Sequence, residues 1–231
     1  NKFLKLFKEK GISIRQISRL TGVSYYIVQK IWPIIEPSPD CIGSKYFFDG
    51  EPKICLDAGH GGDDVGAVKG DRYEKDDNLK LTLAVGEILE EKGIKVIYTR
   101  EKDETVALEE RAEFANRKRA THFISIHRNS SESEASGVEI WIESTAGSYE
   151  KSLAKDILKK IDEVGFGESR GVKKGYQGNP KGNYLVNSAT DMPSCLVEMG
   201  FITSDKDNKL FDENLDKYAA IAEGIMKSVK Q

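Results

Sequence analysis

From Lys53 onward, short apolar runs alternate with longer segments whose apolar residues recur at helical spacing. Apolar runs of about four to eight residues that end at glycine or at a polar residue are typical of buried strands. The strand-like runs are KICLDAG, GIKVIYTR, HFISIH, GVEIWIE, NYLVN and SCLVEMGF. Helices are predicted over 74–92, through VALEERAEFANRKRA, over 149–164 and over LDKYAAIAEGIMKSVK.

This alternation predicts the fold class of the larger part of the chain. Strands that alternate with helices form a mostly parallel sheet with helices on both faces, which is an α/β architecture. In such sheets the functional site lies beyond the carboxyl ends of the strands. Residues at those ends are therefore the first candidates for chemistry.

The N-terminal segment follows a different pattern. Ile14, Ile17 and Leu20 are at helical spacing, Gly22 marks a turn, and Ser24 is a suitable N-cap for a second helix. Together with a preceding apolar stretch, this pattern predicts a small all-α helix-turn-helix domain of three helices at residues 1–36. Four of the six prolines lie in 33–53, so we expect a linker at 37–52 and a second domain at 53–231.

Composition and charge support two units. The 231 residues are 39% hydrophobic and 32% charged, as in a globular protein. Residues 1–36 carry seven Lys and Arg against two Glu, whereas the rest carries 28 basic against 36 acidic residues. The basic head would favour a phosphate backbone, so nucleic-acid binding through its second helix is one expectation, and self-association or docking to a cell wall is the other.

Three residues with reactive side chains follow strand-like runs. His60 ends LDAGH, His127 ends FISIH, and Glu198 lies in CLVEMGF. The topology would bring all three to one rim of the sheet, while His122 opens its run and faces the other end. Glu74 follows His60 by one loop, at the predicted start of a helix. Two imidazoles and one carboxylate suit a zinc ion that keeps an open fourth position.

Each of these residues also has an ordinary structural interpretation. A single histidine is more often a hydrogen-bonded residue than a ligand, and Glu74 is an acid of the kind that a helix N-terminus favours. Glu198 is costly to bury unless it is paired or functional, and Arg100 or Arg111 would be a suitable partner. Their convergence at one edge favours the functional interpretation.

Several further motifs, in order along the chain, make a resemblance specific. The motifs are ICLDAGHGG, VIYTR, LEERAEFAN, FISIHRNS, SGVEIW, SLAKDI and PSCLVEMGFITSDKD. With these motifs, the region from Lys53 to the C-terminus resembles the zinc-dependent N-acetylmuramoyl-L-alanine amidases of bacterial autolysins, sporulation lysins and phage endolysins. The helix-turn-helix head lies outside that family domain.

The resemblance implies a zinc site and a reaction. Carried over by position, the family's zinc ligands fall on His60, Glu74 and His127, and its catalytic glutamate falls on Glu198. The bond cut would be the amide between the lactyl group of N-acetylmuramic acid and L-alanine of the stem peptide. One zinc ion per catalytic domain and a peptidoglycan substrate are therefore expected.

Other residues near the ligands are candidates for substrate contact. Asn78 and Asn129 are close to the ligands in sequence, and Arg128 stands where relatives often have a small residue. A guanidinium there would contact a substrate carboxylate or carbonyl, or point outward. The glycine-rich stretch 165–182 is expected to be a loop that borders the substrate groove.

Two alternatives remain open at the level of sequence. One is a DNA-binding regulator in which the metal site only stabilises the fold, and the other is a zinc carboxypeptidase that acts on the stem peptide. No run is long enough to span a membrane, and no signal-peptide pattern occurs in the sequence given. We expect action on the bacterial cell wall, either outside the cell or after release at lysis.

Overall fold

The expected alternation of strands and helices is present in a computed structural model, which describes residues 51–213 and 219–229. The strands are β1 (Lys53–Ala58), β2 (Val68–Lys69), β3 (Arg72–Tyr73), β4 (Lys95–Tyr98), β5 (His122–Asn129), β6 (Val138–Ile142), β7 (Ser169–Lys174) and β8 (Ser194–Phe201). The helices are α1 (Glu74–Glu91), α2 (Leu108–Arg117), α3 (Ser148–Glu163), α4 (Leu185–Ala189), α5 (Asp205–Glu213) and α6 (Ala219–Val229).

Six of the strands form one sheet in the order β4-β1-β5-β8-β6-β7, and β2 pairs with β3 in a small separate hairpin. The first four strands of the sheet run parallel to one another. Strand β6 is antiparallel to β8, and β7 is parallel to β6. The sheet is thus mostly parallel, as expected, and the carboxyl ends of β1, β5 and β8 meet at one rim.

The sheet is covered on both faces, which explains why its central strands are apolar along most of their length. On one face, Leu81 of α1, Leu153 of α3 and Ile221 of α6 pack in the larger core cluster. On the other face, Ala115 of α2 and Val186 of α4 pack in a smaller cluster. Within the described part of the chain, these two short helices cover the second face, and the side chains of His127 and Glu198 lie on this face.

Three parts of the fold differ from the sequence prediction. NYLVN is not a strand, because Leu185–Ala189 form a short helix. The glycine-rich stretch 165–182 is not wholly a loop, since it contains the edge strand β7. Helix α5, directly after β8, was not predicted. The predicted helix-turn-helix domain at 1–36 and most of the linker at 37–52 lie outside the described residues.

Cys55 and Cys195, which lie in the strands β1 and β8, are buried free thiols. Within 51–213 and 219–229, no helix combines the length and the apolar composition needed to cross a membrane.

Candidate active site

Three of the candidate residues meet at the rim of the sheet. Glu74 Oε1 lies 3.2 Å from His60 Nε2 and 3.0 Å from His127 Nδ1. The two imidazole rings stand edge to face, with their centroids 4.9 Å apart. One ligand atom from each residue lies within 4.8 Å of the others, so the three side chains can surround a single metal ion.

The chain reaches this arrangement through one loop. His60 follows β1, and His127 lies in the neighbouring parallel strand β5, where Gly59 N donates to Ile126 O at 3.0 Å. The β2–β3 hairpin then returns the chain, so that Glu74 becomes the first residue of α1. Two bonds hold it there: Glu74 N donates to Ala67 O, and Ala67 N donates to Glu74 Oε2, both at 2.9 Å.

Two glycines leave room for the ligands. A Cβ built on Gly59 would lie 2.2 Å from ring atoms of His127, and one on Gly66 would lie 2.6 Å from His60 Cδ2 and 2.7 Å from Glu74 Oε2. Gly66 also has a φ of 66°, and His60 has a φ of 60°, which is uncommon for a residue with a side chain. The backbone is thus bent closely around the three side chains.

Two buried arginines hold the backbone of this bend in place through hydrogen bonds to its carbonyl oxygens. Arg111 donates to Ala58 O at 2.7 Å, to His60 O at 2.7 Å and to Asp57 Oδ1 at 2.8 Å. Arg100 donates to Ala58 O at 3.0 Å and to Gly59 O at 3.0 Å. Arg111 therefore pairs with an acid, whereas Arg100 binds carbonyl oxygens. Among the described residues, neither arginine forms a hydrogen bond with Glu198.

The charge state of the cluster suits a cation. Burial acts to raise the pKa of Glu74, but hydrogen bonds from His127 and His60 hold it well below its ordinary value. Burial acts to lower the pKa of His60, but Glu74 and Asp64 raise it overall. An anionic carboxylate thus faces two imidazoles. Because a proton on either imidazole occupies the place of a metal, a bound cation and these protons compete.

Glu198 lies beside the cluster. It is the register partner of His127 across the parallel β5–β8 pair. Its side chain is buried, and its Oε2 has no hydrogen-bond partner among the described residues. Burial raises the pKa of Glu198 well above its usual range, and the nearby carboxylates of Glu74 and Glu139 raise it further. A buried, unpaired carboxyl beside a metal-binding cluster is characteristic of a functional group.

The three candidates for substrate contact have other partners. Asn78 Nδ2 donates to Gly59 O and to Glu74 Oε1, both at 3.2 Å, so this residue supports a metal-site carboxylate. Asn129 Nδ2 donates to Glu139 Oε1 at 3.0 Å. Both asparagines are buried. The expectation of substrate contact therefore does not fit the side-chain environment of either residue.

Arg128 also departs from that expectation. Its guanidinium is fully buried on the opposite face of the sheet, where it pairs with Asp77 of α1 at 2.5 Å and donates to Asn208 Oδ1 of α5 at 2.7 Å. It lies 4.3 Å from the centroid of the Phe211 ring. Only its backbone touches the cluster, where Arg128 N donates to Glu74 Oε1 at 3.1 Å. Arg128 thus joins two helices to β5 and has no surface for a substrate.

One further buried acid, which was not predicted from the sequence, lies next to Glu198 in the sheet. Glu139 of β6 is the register partner of Glu198 across the antiparallel β6–β8 pair, and it is buried. Its carboxylate accepts hydrogen bonds from Asn129, from Trp141 Nε1 at 2.9 Å and from Arg170 Nε at 2.9 Å. The sequence does indicate that Glu139 is unusual, since it interrupts the apolar run VEIW just as Glu198 interrupts CLVEMGF.

Residues 54–231 match the family model described as N-acetylmuramoyl-L-alanine amidase, Amidase_3. The chain belongs to this amidase family. The described region therefore carries the domain of a peptidoglycan hydrolase, and its α/β fold, with a mostly parallel sheet, is that of the family's solved members.

Three relatives show how far the likeness extends. The amidase domain of this chain is 37% identical to YqiI of Bacillus subtilis (strain 168) over 73% of this chain and 80% of YqiI. It is 33% identical to the amidase CwlM of Bacillus licheniformis over 67% of this chain, but over only 58% of CwlM. Among solved structures, AmiC2 of Nostoc punctiforme has a TM-score of 0.70 and 33% identity, covering 79% of this chain and 99% of AmiC2.

Proposed function

We propose that this chain is a zinc-dependent amidase that hydrolyses the bond between N-acetylmuramic acid and L-alanine of the stem peptide in peptidoglycan. His60, Glu74 and His127 hold the zinc ion, and Glu198 is the general base. The observation that carries the proposal is the meeting of two imidazoles and a carboxylate beside a buried glutamate with an unpaired oxygen. The site of action is the bacterial cell wall.

The donor set supports zinc rather than magnesium or calcium. Imidazole nitrogen suits zinc, whereas magnesium and calcium prefer all-oxygen sites. Two histidines and one carboxylate are three protein ligands, which is the number found in catalytic zinc sites with an open position. When bound, zinc supplies Lewis-acid activation of a water molecule and of the scissile carbonyl.

Glu198 supplies the proton transfers. Burial raises the pKa of Glu198, and a cation bound by the neighbouring ligands would lower it again, so that the group is present as a carboxylate and can accept a proton from the attacking water. It then delivers that proton to the departing amine of L-alanine. Since Glu198 pairs in register with His127, the base is held on a strand next to a ligand rather than on a loop.

Other residues of the chain hold this arrangement without touching the substrate. Arg100 and Arg111 fix the carbonyl oxygens of residues 58–60, and Asn78 holds Glu74 against Gly59. Asp64 Oδ2 lies 2.8 Å from His60 Nδ1, which leaves Nε2 directed at the cluster. A carboxylate on the far nitrogen of a metal-binding histidine fixes its tautomer and orientation.

Replacing Glu198 with glutamine tests this assignment of roles. Glu198→Gln keeps the shape of the side chain but removes the base, so we expect kcat on purified peptidoglycan to fall about 100-fold to 10,000-fold. Zinc content per protein and thermal stability should not fall, because Glu198 is not one of the ligands. Glu109→Gln, on the exposed side of α2, is the matched control and should behave as the unchanged protein.

Two results would contradict the proposal. If Glu198→Gln retains full hydrolysis, the base is another group. If the substitution releases zinc, Glu198 is a ligand and its assigned role is wrong.

A further inference from the structure

A row of three aromatic side chains leads from the candidate active site to the protein surface. The Trp141 and Tyr184 rings meet in a T-shaped contact with centroids 5.8 Å apart, and the Tyr184 and Tyr176 rings meet at 4.7 Å with a tilt of 55°. Trp141 is buried, Tyr184 is partly buried, and Tyr176 is 48% exposed. We call these three residues the aromatic row.

The aromatic row is continuous with the catalytic carboxylate. Glu139 pairs in register with Glu198, and Trp141 lies two residues further along β6, where it pairs with Leu196. Residues two apart on a strand project from the same face, about 7 Å apart. Trp141 Nε1 donates to Glu139 Oε1 at 2.9 Å.

The backbone that carries the outermost ring forms a closed turn. Gly175 N donates to Ile142 O at 2.9 Å, and residues Tyr176 and Asn179 exchange two backbone hydrogen bonds of 3.2 and 2.9 Å. Asn179 Oδ1 accepts hydrogen bonds from the backbone nitrogens of the two residues at 181 and 182. A single exposed aromatic residue is ordinary in a protein. Tyr176, in contrast, lies on a closed turn at the end of an aromatic row, and about half of its surface is accessible for binding.

The chemistry of an exposed tyrosine face favours a sugar ring. The face of an aromatic ring carries partial negative charge, and the axial C–H groups of a pyranose carry partial positive charge, so the two stack. The other half of the substrate begins with alanine, whose methyl group offers little to cover such a face. Apolar surface with a few polar groups around it is also what small-molecule subsites present.

Resting on the proposed function, we propose that Tyr176 and Tyr184 form a saccharide subsite for a pyranose ring of the glycan strand, next to the muramoyl residue whose amide is cut. Trp141 and Glu139 connect this subsite to Glu198. The subsite contributes affinity for glycan strands and takes no part in the chemical step. A competing occupant is the stem peptide, because Lys173 pairs in register with Trp141 and would attract a carboxylate.

Binding to peptide-free glycan strands tests the subsite without depending on catalysis. Tyr176→Ala should weaken co-sedimentation with these strands at least tenfold, whereas Tyr176→Phe should bind nearly as the unchanged protein because it keeps the ring. Tyr149→Ala is the matched control, since Tyr149 is a tyrosine of similar exposure, 40%, at the start of α3. It should leave binding unchanged.

A kinetic comparison gives the second arm. On whole glycan strands, Tyr176→Ala should raise KM at least fivefold with kcat unchanged, and on a single muramoyl peptide without neighbouring sugars it should change neither constant. The subsite proposal would be overturned if Tyr176→Ala bound glycan strands as tightly as the unchanged protein. It would also be overturned if the substitution weakened binding of sugar-free stem peptide rather than of glycan strands. If the unchanged protein hydrolyses no substrate, the proposed function fails, and the glycan-binding arm still decides the subsite.

Discussion

The His60 imidazole depends on a neighbouring side chain that is not one of the three proposed zinc ligands. Asp64 Oδ2 lies 2.8 Å from His60 Nδ1, and Asp64 Oδ1 accepts a bond from Gly66 N at 3.2 Å. The same carboxylate thus orients the ring and closes the loop beneath it. His60 lies in the loop after β1, with a positive φ, so no regular secondary structure fixes the orientation of its side chain.

We expect Asp64→Ala to weaken zinc affinity about 10-fold to 100-fold, which is the usual effect of removing such a partner. Competition with a chromophoric chelator measures the dissociation constant. Asp63→Ala, a substitution of the exposed neighbour, is the control and should leave affinity unchanged. Equal affinities for the two variants would show that Asp64 does not orient the ligand.

His122 gives a prediction about stability, because it is buried at the opposite end of β5 from His127. Burial lowers the pKa of His122 from 6.5 to about 4. The folded state therefore holds this imidazole neutral, while the unfolded chain takes up a proton as pH falls below 6.5. The contribution to stability is complete above that pH and is lost progressively down to about pH 4.

At pH 5 this linkage amounts to about 2 kcal/mol of unfolding free energy relative to pH 7. Urea unfolding of the unchanged protein and of His122→Gln at both pH values measures it. The drop from pH 7 to pH 5 should be smaller in the variant by about that amount. An identical drop in both proteins would mean that His122 is accessible to protons in the folded state.

At the scale of single residues, the sequence predicted the positions of the side chains that lie at the carboxyl ends of strands. His60, His127 and Glu198 meet because parallel neighbours bring their carboxyl ends to one rim. Arg128 could not be placed in the same way, because its partners Asp77 and Asn208 lie on two helices, one of which was not predicted. The alternation of side chains along a strand puts Arg128 on the opposite face from His127, but it does not show which helices cover that face.

At the scale of elements, the turn between β1 and α1 is the part on which the site depends most. A Cβ on Gly59 would lie 2.2 Å from the His127 ring. Because that ring is a side chain, it can rotate away from the added methyl group while the strands stay paired. The consequence is a displaced ligand rather than an unfolded domain.

Gly59→Ala should therefore lose most of its zinc and its hydrolytic activity while retaining a cooperative thermal transition. Metal analysis and calorimetry of the same preparation measure the two effects. Gly147→Ala is the matched control, since a Cβ there has its nearest neighbour, Glu150 Oε2, at 3.4 Å, an ordinary contact. Full zinc occupancy in Gly59→Ala would show that the ligand cluster tolerates a side chain at this position.

The elements that sequence analysis misassigned have physical reasons. Strand β7 has the sequence SRGVKK and lies at the edge of the sheet with most of its residues partly or fully exposed, so it lacks an apolar signal. NYLVN is an apolar run too short for its hydrophobic periodicity to distinguish a strand from a helix. Its helical turn packs on the sheet, where Asn187 Nδ2 donates to Trp141 O at 3.0 Å.

At the scale of the whole molecule, the alternation of periods was enough to predict the α/β class, the parallel central strands and the rim that holds the site. The antiparallel insertion of β6 between β8 and β7 was not predictable, because a strand's direction leaves no trace in its own pattern. That insertion is what places Glu139 and the aromatic row beside Glu198. The predicted helix-turn-helix domain and its partners remain predictions from the sequence.

We propose that the rim of this sheet holds a zinc ion and cuts the muramoyl–alanine amide. Purified cell walls are incubated with the protein, with a chelator, and with a chelator followed by zinc, and the released fragments are analysed by mass and by labelling of new amino termini. We predict new N-terminal alanine on intact stem peptides, lost with chelator and restored by zinc. Release of single C-terminal amino acids, or no cleavage by the zinc-loaded protein, would contradict the claim.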